Sequence, residues 1–493
     1  MSFHEQLALS LARHADRVLL ADDNQELTGG ALAERVERWA SGLRHLGLRR
    51  GDRIAVQADK SIDLVILYLA VLRMGAVYLP LNNNYQPSEI EYFLTDAQAA
   101  LFVCTPGERD TYRDMDSLRR MRIETLDAGG QGSLPDLLGA IVASLPPEPV
   151  GPDDLASIVY TSGTTGRSKG AMITHRNLVS NASALIETWG ITQEDVLLHA
   201  LPLFHIHGLF IALNTLLLAG GRVTLLPAFD AKTVVERLPF ATLFMGVPTY
   251  YTRLLAQPGL DEAARTLRLF VCGSAPLSVQ TFEEFERRTG HRILERYGMS
   301  ECGIICSNPL HGERMPGAVG RPLPGIEVRT ADHAPVGVLE VRGPNICAGY
   351  WRQPEKTREE FREDGFFITG DVATIDEQGV VRIVGREKDL IISGGLNIYP
   401  KEIEDLIDDF PEVNESAVVG LGHPDFGEAV TAVVSLREKG SVSAEELIGR
   451  LRARLASFKL PKAVFFVDDL PRNAMGKVQK AVLRHEYRDH FGG

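Results

Sequence analysis

At 493 residues the chain is too long for one ordinary hydrophobic core, so two or more domains are expected. Its 44% hydrophobic and 24% charged content is that of a soluble globular protein. A net charge of −13, from 52 basic and 65 acidic residues, argues against a dedicated nucleic-acid surface. Five cysteines, Cys104, Cys272, Cys302, Cys306 and Cys347, form no close metal-ligand pair and read as reduced thiols of a cytoplasmic protein. The N-terminus Met1-Ser-Phe-His-Glu5 has no basic stretch leading into an apolar core, so no signal peptide is expected.

Along the first 390 or so residues, short apolar runs alternate with amphipathic stretches. Ile54–Ala58 reads as a strand, Ser61–Met74 as a helix, and Ala76–Leu79 and Leu101–Cys104 as further strands. The apolar run Ile62–Met74, interrupted by Asp63 and Arg73, is too short to span a bilayer and reads as a buried helix, with no membrane partner expected. Such alternation predicts a large α/β N-terminal domain of parallel sheets covered by helices. Pro146-Pro147-Glu-Pro149 is a surface connection. A boundary falls around Arg386–Asp389, giving a domain over residues 1–386 and a small α+β unit over 387–493. In that unit a helix is predicted near Pro400–Asp409, strands at Glu415–Leu421 and Ala429–Leu436, a helix near Ser443–Leu455 and a strand at Ala463–Val467. Ser443 with Glu446 makes a capping box for the second helix.

Tyr160-Thr-Ser-Gly-Thr-Thr-Gly-Arg-Ser-Lys-Gly170 is the most informative stretch. It follows the apolar run Leu155–Tyr160 and precedes a helix-like segment beginning near Thr174. Strand, hydroxyl-rich glycine loop and helix together suit polyphosphate: glycine N–H groups approach closely, Ser and Thr add hydrogen bonds, and Lys169 adds charge. A solvated turn is the competing reading, and the ordered spacing ending in Lys-Gly weighs against it. The stretch is not a Walker loop, because Lys169 lies three residues after Gly166 and Gly170 replaces the magnesium-holding Ser/Thr.

This loop resembles the phosphate-binding signature of the adenylate-forming superfamily, which includes acyl-CoA synthetases, peptide-synthetase adenylation domains and luciferases. The resemblance recurs in family order at Tyr297-Gly-Met-Ser-Glu301, Thr369-Gly-Asp371, Gly385-Arg386-Glu-Lys388-Asp389 and Pro471-Arg-Asn-Ala-Met-Gly-Lys477, over more than 300 residues. It implies ATP, Mg²⁺ and coenzyme A as partners and a carboxylic acid joined to CoA through an acyl-adenylate, with AMP and pyrophosphate released. Thr161, Ser162, Gly163, Thr164, Thr165, Gly166 and Lys169 would hold the β- and γ-phosphates. Ser300 would contact the α-phosphate, and Glu301 with Thr165 would bind magnesium. Gly273, Ser274, Ala275, Glu295, Tyr297 and Gly298 would line the adenine slot, while Asp371 and Arg386 would fix the ribose. Lys477 would reach the α-phosphate and the substrate carboxylate from a mobile lid hinged at Lys388. Rotation of that lid would bring Gly394 and Gly395 to the pantetheine tunnel. An essential lid amine also makes Lys477 a candidate for a lysine acetyltransferase.

Three features point to a small dicarboxylate. Leu201-Pro-Leu-Phe-His205-Ile-His207 resembles the segment whose first histidine gates the acyl site. Gly246-Val-Pro-Thr-Tyr-Tyr-Thr-Arg253 places an Arg in a helix lining that site, and Arg296 precedes the nucleotide motif. The combination is similar to malonyl-CoA synthetases, in which both Arg positions bind the distal carboxylate; a buried anion needs such a forked donor. Either Arg pairing only with a neighbouring acid such as Glu295 is the structural alternative. Cys302-Gly-Ile-Ile-Cys306 departs from that family's more polar stretch, and Gly303 and Ile304 are expected to leave room for a methyl branch, as in methylmalonate. A ligase for another short-chain or aryl acid is the alternative within enzymes. A catalytically silent nucleotide binder is disfavoured, since Lys477, Glu301 and Lys169 are all present.

Overall fold

The computed structural model describes residues 1–139, 145–161, 168–393, 396–473 and 476–491. Short Val-, Ile- and Leu-rich runs buried on both faces pair as parallel strands, as such runs must when helices cover each side. One six-stranded sheet orders Arg122–Thr125, Leu101–Cys104, Arg53–Gln57, Val77–Pro80, Leu155–Thr161 and Lys169–Thr174. All its pairs are parallel except the last. The helix Ile62–Arg73 is buried from Ile62 to Leu72 and capped by Ser61, whose hydroxyl accepts from the Leu64 N–H.

The strand Lys169–Thr174 corrects the expected strand–loop–helix order. Thr161 pairs with Lys169 across an antiparallel ladder, so the two segments flanking the glycine-rich stretch are neighbouring strands. The predicted helix forms where expected, as His175–Trp189 capped by Thr174, with the strand preceding it. Gly170, Ala171, Ile173 and Thr174 are buried in this strand, and a Cβ on Gly170 would lie 2.6 Å from Ile158 Cγ2.

A second, nine-stranded sheet sets four consecutive parallel neighbours side by side: Leu294–Met299, Leu269–Cys272, Leu243–Gly246 and Val196–His199. Their carboxyl ends lie along one edge, the place where open parallel sheets bind ligands. From these ends run Ser300-Glu301, Gly273-Ser-Ala275, the helix Pro248–Leu255 and the segment Leu201–Gly208. Motifs roughly a hundred residues apart thus converge because their strands are adjacent.

The sequence pattern did not reveal a four-stranded antiparallel sheet over Glu327–Thr330, Gly337–Arg342, Phe367–Ile375 and Val381–Arg386. It pairs Asp371 directly with Arg386. Beyond it the lid forms a sheet from Ile391–Ser393, Leu396–Ile398, Val413–His423, Gly427–Leu436 and Ala463–Val467, packed on helices Pro400–Asp408 and Ala444–Leu451. The Ser443–Glu446 capping box is present. Among the described residues no helix is long and apolar enough to cross a membrane.

Candidate active site

Three groups of side chains meet above the strand ends. On the nucleotide side, Tyr297 Oη donates to Asp371 Oδ2 at 2.5 Å while Arg386 Nε lies 2.9 Å from Asp371 Oδ1. Both Asp371 oxygens are therefore engaged, one from each sheet. Gly298 is required here, because a Cβ would sit 2.1 Å from the Gly303 carbonyl oxygen. Ala275 is half-buried beside Ser274, and Lys388 occupies the short turn Glu387–Asp389. Burial, then Arg386, lowers the Lys388 pKa.

The second group stands at the foot of the phosphate loop. Glu301 is buried and accepts from Thr161 Oγ1 at 3.0 Å and from Tyr350 Oη at 3.5 Å. Burial raises its pKa, and Glu360 adds to the effect. Lys169 Nζ pairs with Glu360 Oε1 at 2.7 Å and lies 5.0 Å from the Tyr350 ring centroid. Tyr350 also donates to Glu360, so one phenol spans two acids. Tyr350 and Glu360 were not singled out from the sequence. They lie more than 180 residues from Lys169, and no local spacing ties them to it. Ser162, Gly163, Thr164, Thr165 and Gly166 lie outside the described residues, as do Gly394 and Gly395. Among the described residues no cluster of three His, Cys, Asp or Glu could hold a metal by itself. A lone buried carboxylate with hydroxyls beside it fits magnesium carried in on phosphate oxygens.

The third group gathers around Arg296, His205 and His207. Arg296 is 5% exposed, and its Nε and Nη2 have no hydrogen-bond partner. Burial pulls its pKa down to about 10. Glu295 points to the opposite face of the same strand, as successive residues must, and accepts from the Leu277 N–H at 3.4 Å. Burial pushes that carboxyl up to about 7. Arg296 is thus not neutralised by Glu295, and among the described residues no acid lies within ion-pair distance of it. Its guanidinium stacks on Gly273, where a Cβ would meet Arg296 Cζ at 2.5 Å. Gly273→Ala should therefore displace the guanidinium and lower kcat/KM for the acid about tenfold or more, as steady-state kinetics would show. An unchanged value would mean that the guanidinium is not held by this contact.

Ser274 takes a left-handed φ of 73°, which a non-glycine residue tolerates only where its surroundings enforce it. Its hydroxyl lies 3.1 Å from His207 Nδ1, and the His207 N–H donates to His205 Nδ1 at 3.2 Å. Burial, followed by Lys477 and Arg296, lowers the His205 pKa to about 3, and burial drives His207 far down as well. Both imidazoles are neutral near pH 7, so the cations on this side are Arg296 and Lys477. Burial draws the Lys477 pKa to about 8, with Arg386 and Arg296 lowering it and Asp371 and Glu301 opposing them. The lid therefore sets Lys477 among both the nucleotide and the acyl groups. Its loop rests on the helix Pro248–Leu255, where a Cβ on Gly476 would lie 3.2 Å from Thr249 Oγ1.

Arg253 is not brought into this group. It is exposed in the last turn of Pro248–Leu255, near Arg472 of the lid, whose pKa falls through burial and then through Arg253. The methyl-sized space expected at Gly303 is also filled. Gly303 has φ 62° and its missing Cβ would lie 2.5 Å from Asn181 Oδ1, while Ile304 is a fully buried core residue. Asn181 bonds both the Ile304 N–H and its carbonyl, locking this segment. Ser300 lines a small cavity beside it with Asn177, Asn181 and Asn345.

Comparison with known proteins agrees with this geometry. The AMP-binding enzyme family matches residues 7–351, and its C-terminal domain matches residues 402–477. The ATP-bound crystal structure of MatB from Rhodopseudomonas palustris is 47% identical over 100% of both chains, with a TM-score of 0.95; the apo form gives 0.84. The malonate–CoA ligase of Arabidopsis thaliana is 36% identical, covering 96% of this chain and 83% of the plant protein. A feruloyl-CoA synthase of Amycolatopsis is 38% identical, covering 94% of each. With the family model matching residues 7–351 and the C-terminal model residues 402–477, the chain belongs to the AMP-binding enzyme family, the adenylate-forming synthetases that its motifs resemble.

Proposed function

We propose that this enzyme is an ATP-dependent malonate–CoA ligase. The observation that carries the reading is Arg296: a buried guanidinium with unpartnered N–H groups is a site awaiting an anion. Two cations, Arg296 and Lys477, face the acyl side, and a dicarboxylate has one anionic group for each. The likeness to malonate–CoA ligase and MatB supports the same reading.

In this scheme a carboxylate oxygen attacks the α-phosphorus of ATP and the bond to pyrophosphate breaks. CoA thiolate then attacks the acyl carbon and AMP leaves. Two anions meet in the first step, so the protein contributes position and preorganised positive charge. Lys477 spans the reacting carboxylate and α-phosphate, and Ser300 adds a contact to the latter. Asp371 and Arg386 hold the ribose, while Tyr297, Gly298 and Gly273–Ala275 border adenine. The loop residues Thr161–Gly166, with Lys169 at their foot, take the outer phosphates. Glu301, with Thr165, would hold magnesium, which when bound offsets the charge of the polyphosphate. His205 and His207 form a neutral wall to the acid. Arg253, facing the lid, is left as an outer contact that guides the anion.

The division at 386/387, with Lys388 as the hinge and Gly394 and Gly395 admitting pantetheine, belongs to the same reading, as does a cytoplasmic location. Acetylation of Lys477 by a lysine acetyltransferase would remove its charge. Stoichiometric acetylation should then reproduce the loss expected of Lys477→Ala, and full activity after it would exclude such control. The function itself is tested by pyrophosphate release with ATP, Mg²⁺ and CoA across acetate, propionate, malonate, methylmalonate, succinate, benzoate and ferulate. Malonate should give the highest kcat/KM; preference for a monoacid would reassign Arg296 to structure.

A further inference from the structure

Lys60 is a half-buried cation that the scheme above does not use. It lies in the loop between the strand Arg53–Gln57 and the buried helix Ile62–Arg73, one residue before the helix cap Ser61. From the first sheet it reaches across to the second. Its Nζ lies 2.8 Å from His199 Nδ1, 2.7 Å from the His199 carbonyl oxygen and 2.8 Å from the Leu201 carbonyl oxygen. Three acceptors match the three N–H donors of an ammonium group. Among the described residues no carboxylate pairs with it.

The far side of His199 continues the chain of contacts. Lysine only donates, so His199 Nδ1 accepts and Nε2–H is left to donate to the Gly208 carbonyl oxygen, 2.9 Å away. His199 ends its strand, and Leu201–Gly208 is the segment that carries His205 and His207. Lys60 and His199 therefore grip this segment at both ends, at Leu201 and at Gly208. Gly208 suits the grip, since a Cβ there would lie 2.1 Å from the Pro202 carbonyl oxygen. Gly208 lies within a π-helix over His207–Leu213, a rare form frequent at functional sites. His207 in turn reaches Ser274, next to Gly273 and the Arg296 guanidinium.

We infer that Lys60 and His199 form a clamp that positions the His205–His207 wall of the acyl pocket, and that Lys60 is a positioning residue for acid recognition. A half-buried ammonium held by three neutral acceptors and no counter-ion contributes little to stability alone. Burial indeed lowers the Lys60 pKa far below the ordinary lysine value, and burial and the Lys60 charge lower His199 to about 3, which keeps that imidazole neutral and able to accept. The nucleotide groups Tyr297, Asp371 and Arg386 share no contact with the clamp, so its effect should fall on the acid.

The inference rests on the assignment of this side as the acyl pocket, so the test uses whichever acid the wild type turns over best. A preference other than malonate would then overturn the substrate reading and leave this test intact. Lys60→Met removes the three donors while keeping the side-chain length. His199→Asn keeps an acceptor for Lys60 but loses the donor to Gly208. Each should raise the acid KM about tenfold and reduce discrimination against the next acid in the panel by a similar factor, with the ATP KM within about twofold of wild type. The double variant should cost little more than either single one. A folded variant whose acid KM and discrimination match wild type, with only its Tm lowered, overturns the inference. So does an equal rise in the acid and ATP KM values. If Lys60→Met does not fold, His199→Asn decides by the same readings.

Discussion

Lys477→Ala is expected to slow acyl-adenylate formation about a hundredfold, roughly 3 kcal/mol, the scale for losing one preorganised donor to a developing charge. The loss should be far smaller when acyl-adenylate is supplied and only thioester formation is followed. Lys477 lies within electrostatic reach of Arg386, Asp371, Glu301, Arg296 and His205, where it could act on the first step. The pH profile provides a second reading. Burial holds the Lys477 pKa near 8, below the ordinary lysine value, so the amine is charged below that pH and neutral above it. Adenylation kcat/KM should fall as pH rises through about 8, and Lys477→Ala should lose this limb. Equal losses in both half-reactions would refute the lid's division of labour.

Arg296→Ala should lower kcat/KM for malonate about a hundredfold or more, the range for truncating one partner of a buried charge pair. The ATP KM should hardly change, because the guanidinium makes no contact to Tyr297, Asp371 or Arg386. Arg296→Lys should recover little, since a point charge lacks the fork that takes a carboxylate two bonds at a time. Stability offers the discriminating control. In the free enzyme this guanidinium is buried with Nε and Nη2 unpartnered, so it is a burden on the fold. Arg296→Met should keep or raise Tm while activity falls. A fall in both would mean that Arg296 braces the structure, and malonate kinetics near wild type would remove the dicarboxylate reading.

Much of this site could be read before folding was considered. The glycine-rich loop, Tyr297–Glu301, Asp371, Arg386 and Lys477 each sit in a short stretch whose residue types state its chemistry. Alternating apolar runs announced parallel sheets, and Leu101–Cys104 and Ala463–Val467 form with the expected limits. The strand Lys169–Thr174 escaped notice because Lys169 and Gly170 open it with residues of low strand preference, and only pairing with Leu155–Thr161 makes it a strand. The antiparallel sheet carrying Asp371 was missed for a similar reason: its strands are interrupted by Gly and polar residues that one sheet neighbour or another accommodates.

What the sequence by itself determined is therefore local: the order of motifs, the Ser61, Thr174 and Ser443 caps, the buried helix, and the presence of a charged Arg beside the nucleotide motif. These depend on hydrogen bonds and periodicities spanning a few residues. Only the tertiary structure decided which charges meet. It put Glu360 and Tyr350 on Lys169, Lys60 on His199, Asn181 against Gly303, and no partner on Arg296 Nε and Nη2 among the described residues, while leaving Arg253 outside on the helix surface. The partners of Lys169, Lys60 and Gly303 lie more than a hundred residues away and are joined by strand order and register. Burial then fixes protonation: the same lysine or histidine that is ordinary in a short peptide becomes, once water is removed, an amine near 8 or an imidazole near 3.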